Sequence, residues 1–492
     1  MRAFCPPSLI LYHIRVEMTR LLLAAAAGAV SSLAFFPLGL NAVLLVSLAP
    51  FYAATSGAGS RRGAFYAWVT GTLGCGIVFH WIVPLLVRFG GLSWAAAGAC
   101  LLLFLLWEGL YFAAVGAVLG MRCGSPMAGA VRVLWPVVLE RFWPRIFPWH
   151  FGDPLSEFPL LCQTADLGGV YAVSALVLAC NHALAAPRRW RTLGATALLL
   201  LAALGYGKFR LSHLPAPDAV LDVVVLHPAI PLEERHRALK DPKLYEEHKR
   251  ILFGSAGGPA DLVVMPEASL LASLDGTAAG AARGVGCPVL YGAHALGPGG
   301  RPHHNSAVLE GSGPVQLYHK SLLILFGERL PPGFGWLKRR TGRAPIDAGP
   351  GPGVLRLGGV GLGPLVCYED VFPGYVRRTV LSGAQILVNV TEDGWFGWTG
   401  MPHQHLLLSR LRAVENRRAL LRSVNNGISA VVDPAGRLLA LESRRTGAAL
   451  LRVRVPAVSA LTPYTRWGDW FVYLGAGLCA LSLASALATR RR

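Results

Sequence analysis

Apolar residues follow two different rhythms along this chain. Near 19–36, 39–56, 64–87, 92–121, 168–186, 192–207 and 469–488 they run almost without interruption. Each run is at or close to the roughly 17–25 residues a bilayer-spanning helix needs. A weaker run near 127–143 is broken by Arg132, Pro136, Glu140 and Arg141. Between 216 and 455 the pattern shortens to apolar stretches bounded by Gly and Pro. Residues 219–228, 261–267, 288–294, 305–310, 360–369, 384–390 and 427–433 read as strands, and 235–254 and 403–420 as helices. "VVDPAGRLLA" has the Pro and Gly spacing of a turn joining two strands. The mixture predicts an α/β layer structure of about 250 residues.

Charge decides how the apolar runs thread. The chain is 53% hydrophobic and only 15% charged, which points to a membrane protein, so its net charge of +19 needs a membrane explanation first. The basic clusters sit between apolar segments, which disfavours nucleic-acid binding: Arg15 and Arg20, Arg61 and Arg62, Arg122, then Arg188, Arg189 and Arg191, then Arg490–Arg492. Placing all of them in the cytoplasm requires an even number of crossings between Arg122 and Arg188. The weak segment then crosses too, and the spans total eight. This gives a membrane domain of about seven spans over 1–207, an extracytoplasmic domain over 208–466, and a closing helix with a basic cytoplasmic tail over 467–492. No small-residue cleavage site leads into a soluble domain. Met18 before Thr19 and Arg20 is a candidate start, which N-terminal sequencing would test.

Nine cysteines without CxxC pairs suggest neither a zinc site nor a disulfide framework. Only Cys287 and Cys367 fall between 208 and 466. Cys367 stands in "PLVCYED", beside Glu369 and Asp370, where a thiolate would be repelled unless a cation lies near. Three strand ends carry unlike reactive groups: Glu267 after "DLVVMP", Lys320 after "VQLYH" and Cys367 after "GPLV". Side chains at strand ends of an α/β sheet emerge into a crevice. A free thiol, with a pKa of about 8.5, is mostly protonated at neutral pH. A carboxylate can take its proton, and an ammonium can stabilise the oxyanion formed on attack at a carbonyl. The same residues also fit a packed strand cysteine and a structural ion pair.

"MPEAS", "YHKSLLILFGERLPP" and "LVCYEDVFP", in this order, resemble the Glu–Lys–Cys motifs of the nitrilase superfamily. With "DGWFG" at 393–397, "HQHLLLSRLRAVENRRALLRS", "NNGISAVVDPAGR", "ADLGGVYAVSALVLA" and "FPW" at 147–149, the chain resembles the apolipoprotein N-acyltransferase family within it. The resemblance implies a polytopic α-helical membrane domain plus a nitrilase-like αββα sandwich, in the bacterial inner membrane with the catalytic domain on the periplasmic side. It implies that Cys367 takes an acyl chain from a membrane phospholipid as a thioester. The amine of an S-diacylglyceryl cysteine at a lipoprotein N-terminus then removes it. Glu267 would be the general base, Lys320 the oxyanion stabiliser and Glu328 the residue orienting Lys320, with Tyr368 and Glu369 supporting the site. No cofactor, metal or nucleic acid is expected, and a monomer is. The aromatic stretch 141–152 suits an interfacial belt at a lipid entrance. Family members often have Asn-Asp where Glu392-Asp393 stands here, and a glutamine where His227 stands.

Other residues read more plainly. His303, His304, His403 and His405 read as loop or helix-surface histidines rather than metal ligands. The basic run Arg410–Arg422 reads as a solvated face. Glu108 and Asp166 stand in or near spans, where carboxylates are functional by default, although Asp166 at an interface would cost little. Trp395 and Phe396 fit core or pocket wall equally. Asp370 has no assignable role. Two rivals remain: a membrane-anchored amidase in which water resolves the acyl-enzyme, and a transporter-like or scaffold protein that has lost activity.

Overall fold

The computed structural model describes residues 7–121, 127–186, 189–238, 241–254, 259–272, 285–296, 302–330, 333, 346–397 and 399–490. Arg122, Arg188, Arg491 and Arg492 lie outside the described residues, as do Pro331 and Pro332 of the "FGERLPP" motif.

The long apolar runs form helices α1 (Pro7–Ser32), α2 (Ser60–Val78), α3 (Ile82–Arg88), α4 (Trp94–Leu119), α5 (Ala128–Phe142), α6 (Val170–Ala185) and α7 (Arg189–Ser212). Among the described residues, three helices are singly long and apolar enough to cross a membrane: Leu11–Phe35, Trp94–Leu119 and Trp190–Ser212. The pair α2–α3 makes a fourth if taken together, bent by 48°. The stretches Asn41–Thr55, Val170–Ala185 and Trp470–Ser485 are apolar but shorter. Small residues let these helices approach closely. A Cβ on Gly63 would lie 2.4 Å from the Gly116 carbonyl oxygen, so α2 and α4 touch backbone to backbone there.

The remainder is two sheets, face to face. The first has strands β1 (Ala219–His227), β2 (Leu262–Val264), β3 (Leu270–Ala272), β4 (Val289–Leu296), β5 (Pro302–Glu310), β6 (Gln316–His319) and β13 (Ala449–Ala457), in the order β13-β1-β2-β4-β5-β6 with β3 also on β4. The second has β7 (Leu355–Leu357), β8 (Val360–Val366), β9 (Ile386–Thr391), β10 (Ala419–Val424), β11 (Ser429–Val432) and β12 (Leu438–Glu442), in the order β12-β11-β10-β9-β8-β7. Alternation along each strand feeds two layers. Val223, Val225, Val388 and Leu421 fill the space between the sheets. Val224 and Leu226 instead face Leu252 of α9 (Pro242–Gly254), which follows the short α8 (Leu232–Ala238). Leu365, Leu387 and Leu420 face Val376 of α10 (Pro373–Leu381) and Ala413 of α11 (Met401–Asn416). The layers are therefore α, β, β, α, and α12 (Trp470–Arg490) follows β13.

Two sequence expectations change here. The helix read at 403–420 stops at Asn416; Arg417 adopts φ 53°, and Ala419–Val424 is a strand. Parallel pairing with β9 and antiparallel pairing with β11 outweigh the local helical pattern. The basic run is also not a solvated face. Arg412, Arg417 and Arg422 are fully buried. Each meets an acid from elsewhere, since a buried charge must be paired. Arg412 faces Glu415 and Asp153, Arg417 meets Asp166 at 2.6 Å, and Arg422 meets Asp370 at 2.6 Å. Asp153 and Asp166 belong to the membrane half, so the Arg412–Asp153 and Arg417–Asp166 pairs dock the two halves. Asp166 also accepts from Arg210 and Tyr206. Glu108 of α4 pairs at 3.2 Å with Arg145, in the stretch that follows α5.

α11 makes a further link. Gln404 donates to the Val78 carbonyl and accepts from Trp81 Nε1, both at 3.1 Å, and so satisfies groups at the α2–α3 bend. Phe396 packs on Trp81 and Trp395 on Phe89, so both touch the membrane half.

Candidate active site

Three strand ends converge between the sheets. β2 ends at Val264, and Met265–Pro266 carry the chain to Glu267. Gly292 in β4 permits this turn: a Cβ there would stand 2.4 Å from Glu267 Cα. β6 ends at His319, and Lys320 follows with its N–H on the Asn305 carbonyl at 2.8 Å. β8 ends at Val366, and Cys367 opens a short 3-10 turn with φ 57°.

Lys320 Nζ donates to Glu328 Oε1 at 2.8 Å, and it lies 5.5 Å from the centre of the Tyr368 ring. Glu328 Oε2 accepts from the Ile324 N–H at 2.9 Å, which fixes the carboxylate that holds the ammonium. Glu267 Oε1 accepts from Asn305 Nδ2 at 2.6 Å and Oε2 from the Glu392 N–H at 3.1 Å. Arg235 donates to the Glu267 carbonyl at 3.0 Å and also pairs with Glu392.

The charges act on one another. Burial pushes the Glu267 carboxyl up to about 7, with Lys320 opposing and Glu328 adding to the rise. Burial also pushes the Cys367 thiol well above its ordinary value; Glu267 adds to this and Lys320 opposes it. Burial works to lower Lys320, but Cys367, Glu328 and Glu267 together hold it above its usual range. The resting site thus holds a neutral thiol, a fixed ammonium and a carboxyl that can carry or release a proton near neutrality. That is the set needed for nucleophilic attack at a carbonyl.

Glu369 is a staple rather than a reactive group. It is fully buried. Its Oε1 accepts from the Ser321 and Leu322 N–H groups at 2.7 and 3.1 Å. Its Oε2 accepts from the Val366 N–H and the Tyr318 hydroxyl, both at 2.8 Å. One carboxylate therefore ties the chain after Lys320 to the chain before Cys367. Tyr368 donates to the Leu323 carbonyl at 3.1 Å and closes the site toward an apolar cavity. That cavity lies between the two halves, with Phe35, Phe79, Trp81, Phe147, Trp149 and Met401 in its wall. The stretch 141–152 is therefore divided: Phe147 and Trp149 turn inward, while Phe142 and Ile146 are exposed.

Several site residues were not singled out from sequence. Asn305 had only its place at a strand start. Asn389 was hidden in an apolar strand. His405, read as a surface histidine, is buried between Asp370 and Asp393. The departures Glu392 and His227 are both buried. His227 is held by Ser429 Oγ at 2.9 Å and the Arg444 carbonyl at 2.8 Å. Among the described residues no group of three or more His, Cys, Asp or Glu side chains is arranged to hold a metal ion, and Cys287 and Cys367 are both free.

Residues 27–183 match the apolipoprotein N-acyltransferase N-terminal domain, and residues 235–459 match the carbon-nitrogen hydrolase family. A protein of Methylococcus capsulatus named apolipoprotein N-acyltransferase is 30% identical over 96% of this chain and 97% of its own length. One of the same name from Agrobacterium fabrum is 32% identical over 87% of this chain and 89% of its own. Among solved structures, a nitrilase-superfamily amidase of Nesterenkonia sp. AN1 is 23% identical with a TM-score of 0.37, covering 53% of this chain and 98% of that one.

Proposed function

The chain belongs to the apolipoprotein N-acyltransferase family, and we propose that it moves an acyl chain from a membrane phospholipid to the N-terminal S-diacylglyceryl cysteine of lipoproteins. Glu267 takes the Cys367 proton as sulfur attacks the ester carbonyl. Lys320, held by Glu328 at 2.8 Å, offsets the oxyanion. Collapse breaks the ester C–O bond, and Glu267 returns its proton to the departing lysophospholipid oxygen. The acyl group is left as a thioester. The lipoprotein amine then attacks this carbonyl, Glu267 accepts its proton, and the C–S bond breaks to restore the thiol. The observation that carries this reading is the buried Glu267–Lys320–Cys367 meeting point beside an apolar cavity walled by the membrane half. A phospholipid resists leaving the bilayer, because each buried CH₂ is worth about 0.8 kcal/mol. A thiol held against the helices meets that constraint.

The same reading divides the chain into 1–207, 208–466 and 467–492, as a monomer in the bacterial inner membrane with the middle domain outside the cytoplasm. The basic residues between the apolar runs support this orientation. The test is to incubate purified protein with phospholipid, look for acyl mass on the Cys367 peptide, and then add a diacylglyceryl-cysteine peptide. The adduct should form and pass to the peptide amine. Cys367→Ala should abolish it and Cys367→Ser nearly so, since a hydroxyl is the poorer nucleophile. An adduct that never forms, or that leaves only to water, sinks the transferase reading.

A further inference from the structure

Cys367 holds a backbone conformation, φ 57°, that a non-glycine residue rarely adopts. Such a residue persists only where its surroundings over-determine it. Its carbonyl accepts from Asn389 Nδ2 at 2.8 Å. That amide is itself oriented, because Asn389 Oδ1 accepts from Arg422 Nη1 at 3.1 Å. Arg422 in turn belongs to a closed ring. Its Nη1 donates to Asp370 Oδ2 at 2.6 Å and its Nη2 to Asp393 Oδ2 at 3.0 Å. His405 completes the ring, with Nε2 3.0 Å from Asp370 Oδ1 and Nδ1 2.9 Å from Asp393 Oδ1. All four carboxylate oxygens are engaged, and all four residues are buried.

The ring does more than fill space. Both imidazole nitrogens face carboxylate oxygens, and a neutral imidazole can donate from only one. The geometry therefore calls for an imidazolium, which brings the ring to two negative and two positive charges. Burial and Arg422 oppose that charge, but Asp393 and Asp370 hold His405 above its ordinary value. The members also come from separate places: Asp370 from the turn carrying Cys367, Asp393 from beyond β9, Arg422 from β10 and His405 from α11.

We propose that the Asp370–Arg422–Asp393–His405 ring, acting through Asn389, is the positioning device that fixes the Cys367 turn and aims its thiol at Glu267 and Lys320. The proposal rests on Cys367 being the acyl carrier. Both ring nitrogens of His405 and both terminal nitrogens of Arg422 are taken up by the two carboxylates, so these two act here as positioning residues, although the His405 ring also borders the apolar cavity. Removing the imidazolium leaves two carboxylates against one guanidinium beside the turn that carries Cys367. That excess negative charge both loosens the turn and opposes formation of a thiolate.

The test is single-turnover acylation of the full chain in phospholipid nanodiscs, read as acyl mass on the Cys367 peptide against phospholipid mole fraction. The variants are His405→Gln and Asn389→Asp. The second is isosteric and turns the donor facing the Cys367 carbonyl into an acceptor. Both should slow acylation per active site at saturating phospholipid at least tenfold, with the half-saturating mole fraction unchanged, in addition to any fall in melting temperature from the disturbed buried ring. Loss of fold alone would lower the melting temperature and the amount of active protein, not the rate per active site. Wild-type acylation by Asn389→Asp overturns the proposal, whatever the fate of His405→Gln. Absence of acyl mass on wild-type Cys367 instead overturns the acyl-carrier reading and the proposal with it, so the wild-type arm separates the two failures.

Discussion

Glu267 should set the lower pH limit of acylation. Burial raises its carboxyl to about 7, and only the ionised form can take the thiol proton. Acylation should therefore rise as pH passes through about 7, which single-turnover rates across pH 5–9 would show. Stability should move the other way. The folded pKa lies above the ordinary 4.5, so the stability contributed by this group is fully present below about 4.5 and lost as pH rises through about 7. Glu267→Gln, neutral throughout, should abolish acylation yet melt higher than wild type at pH 8, with a smaller difference at pH 5. Equal melting temperatures at pH 8 would contradict the buried-carboxylate account. Glu267, Lys320 and Cys367 could be named as candidates from the sequence, because each ends an apolar strand with a reactive side chain and stands in a motif that the family resemblance picks out. Asp370 and His405 were not: each finds its partners across the fold, and local pattern carries no sign of that pairing.

At the scale of elements, α11 and the strand after it departed furthest from expectation. The segment 410–422 looks helical and amphipathic, and its arginines look solvated. Strand pairing ends the helix at Asn416, and acids from distant segments bury the arginines. Neither cause lies within a window of neighbouring residues. The apolar strands at 219–228, 360–369 and 384–390 were readable because their own alternation fills both faces of a sheet. Arg417 tests the docking role directly. Arg417→Ala removes the closest partner of buried Asp166 and should cost about 3 kcal/mol, the low end for breaking a buried pair because Arg210 remains. Arg417→Gly relieves the left-handed backbone at φ 53° while losing the same guanidinium. Both should melt several degrees below wild type in detergent. A glycine variant as stable as wild type would show that the backbone, not the ion pair, is what matters there.

At the scale of the molecule, the two halves share one core. Met401, Leu411 and Val414 of α11 pack in the same apolar cluster as Phe35, Trp81 and Trp149. Severing the halves would expose that cluster together with Arg412 and Arg417. A fragment spanning 208–466 should therefore aggregate when expressed alone, and size-exclusion chromatography would show it; a soluble monomer would mean the halves are independent. The bend between α2 and α3 carries a last consequence. Gln404 bridges it, one residue before His405, so the angle of a membrane helix is fastened beside the ring behind the thiol. A bilayer thick enough to straighten that helix must first pull Gln404 off Val78 and Trp81. On the proposed function, the lipids surrounding the protein would then be not only the acyl supply but a mechanical load on Cys367, tuned by their own chain length.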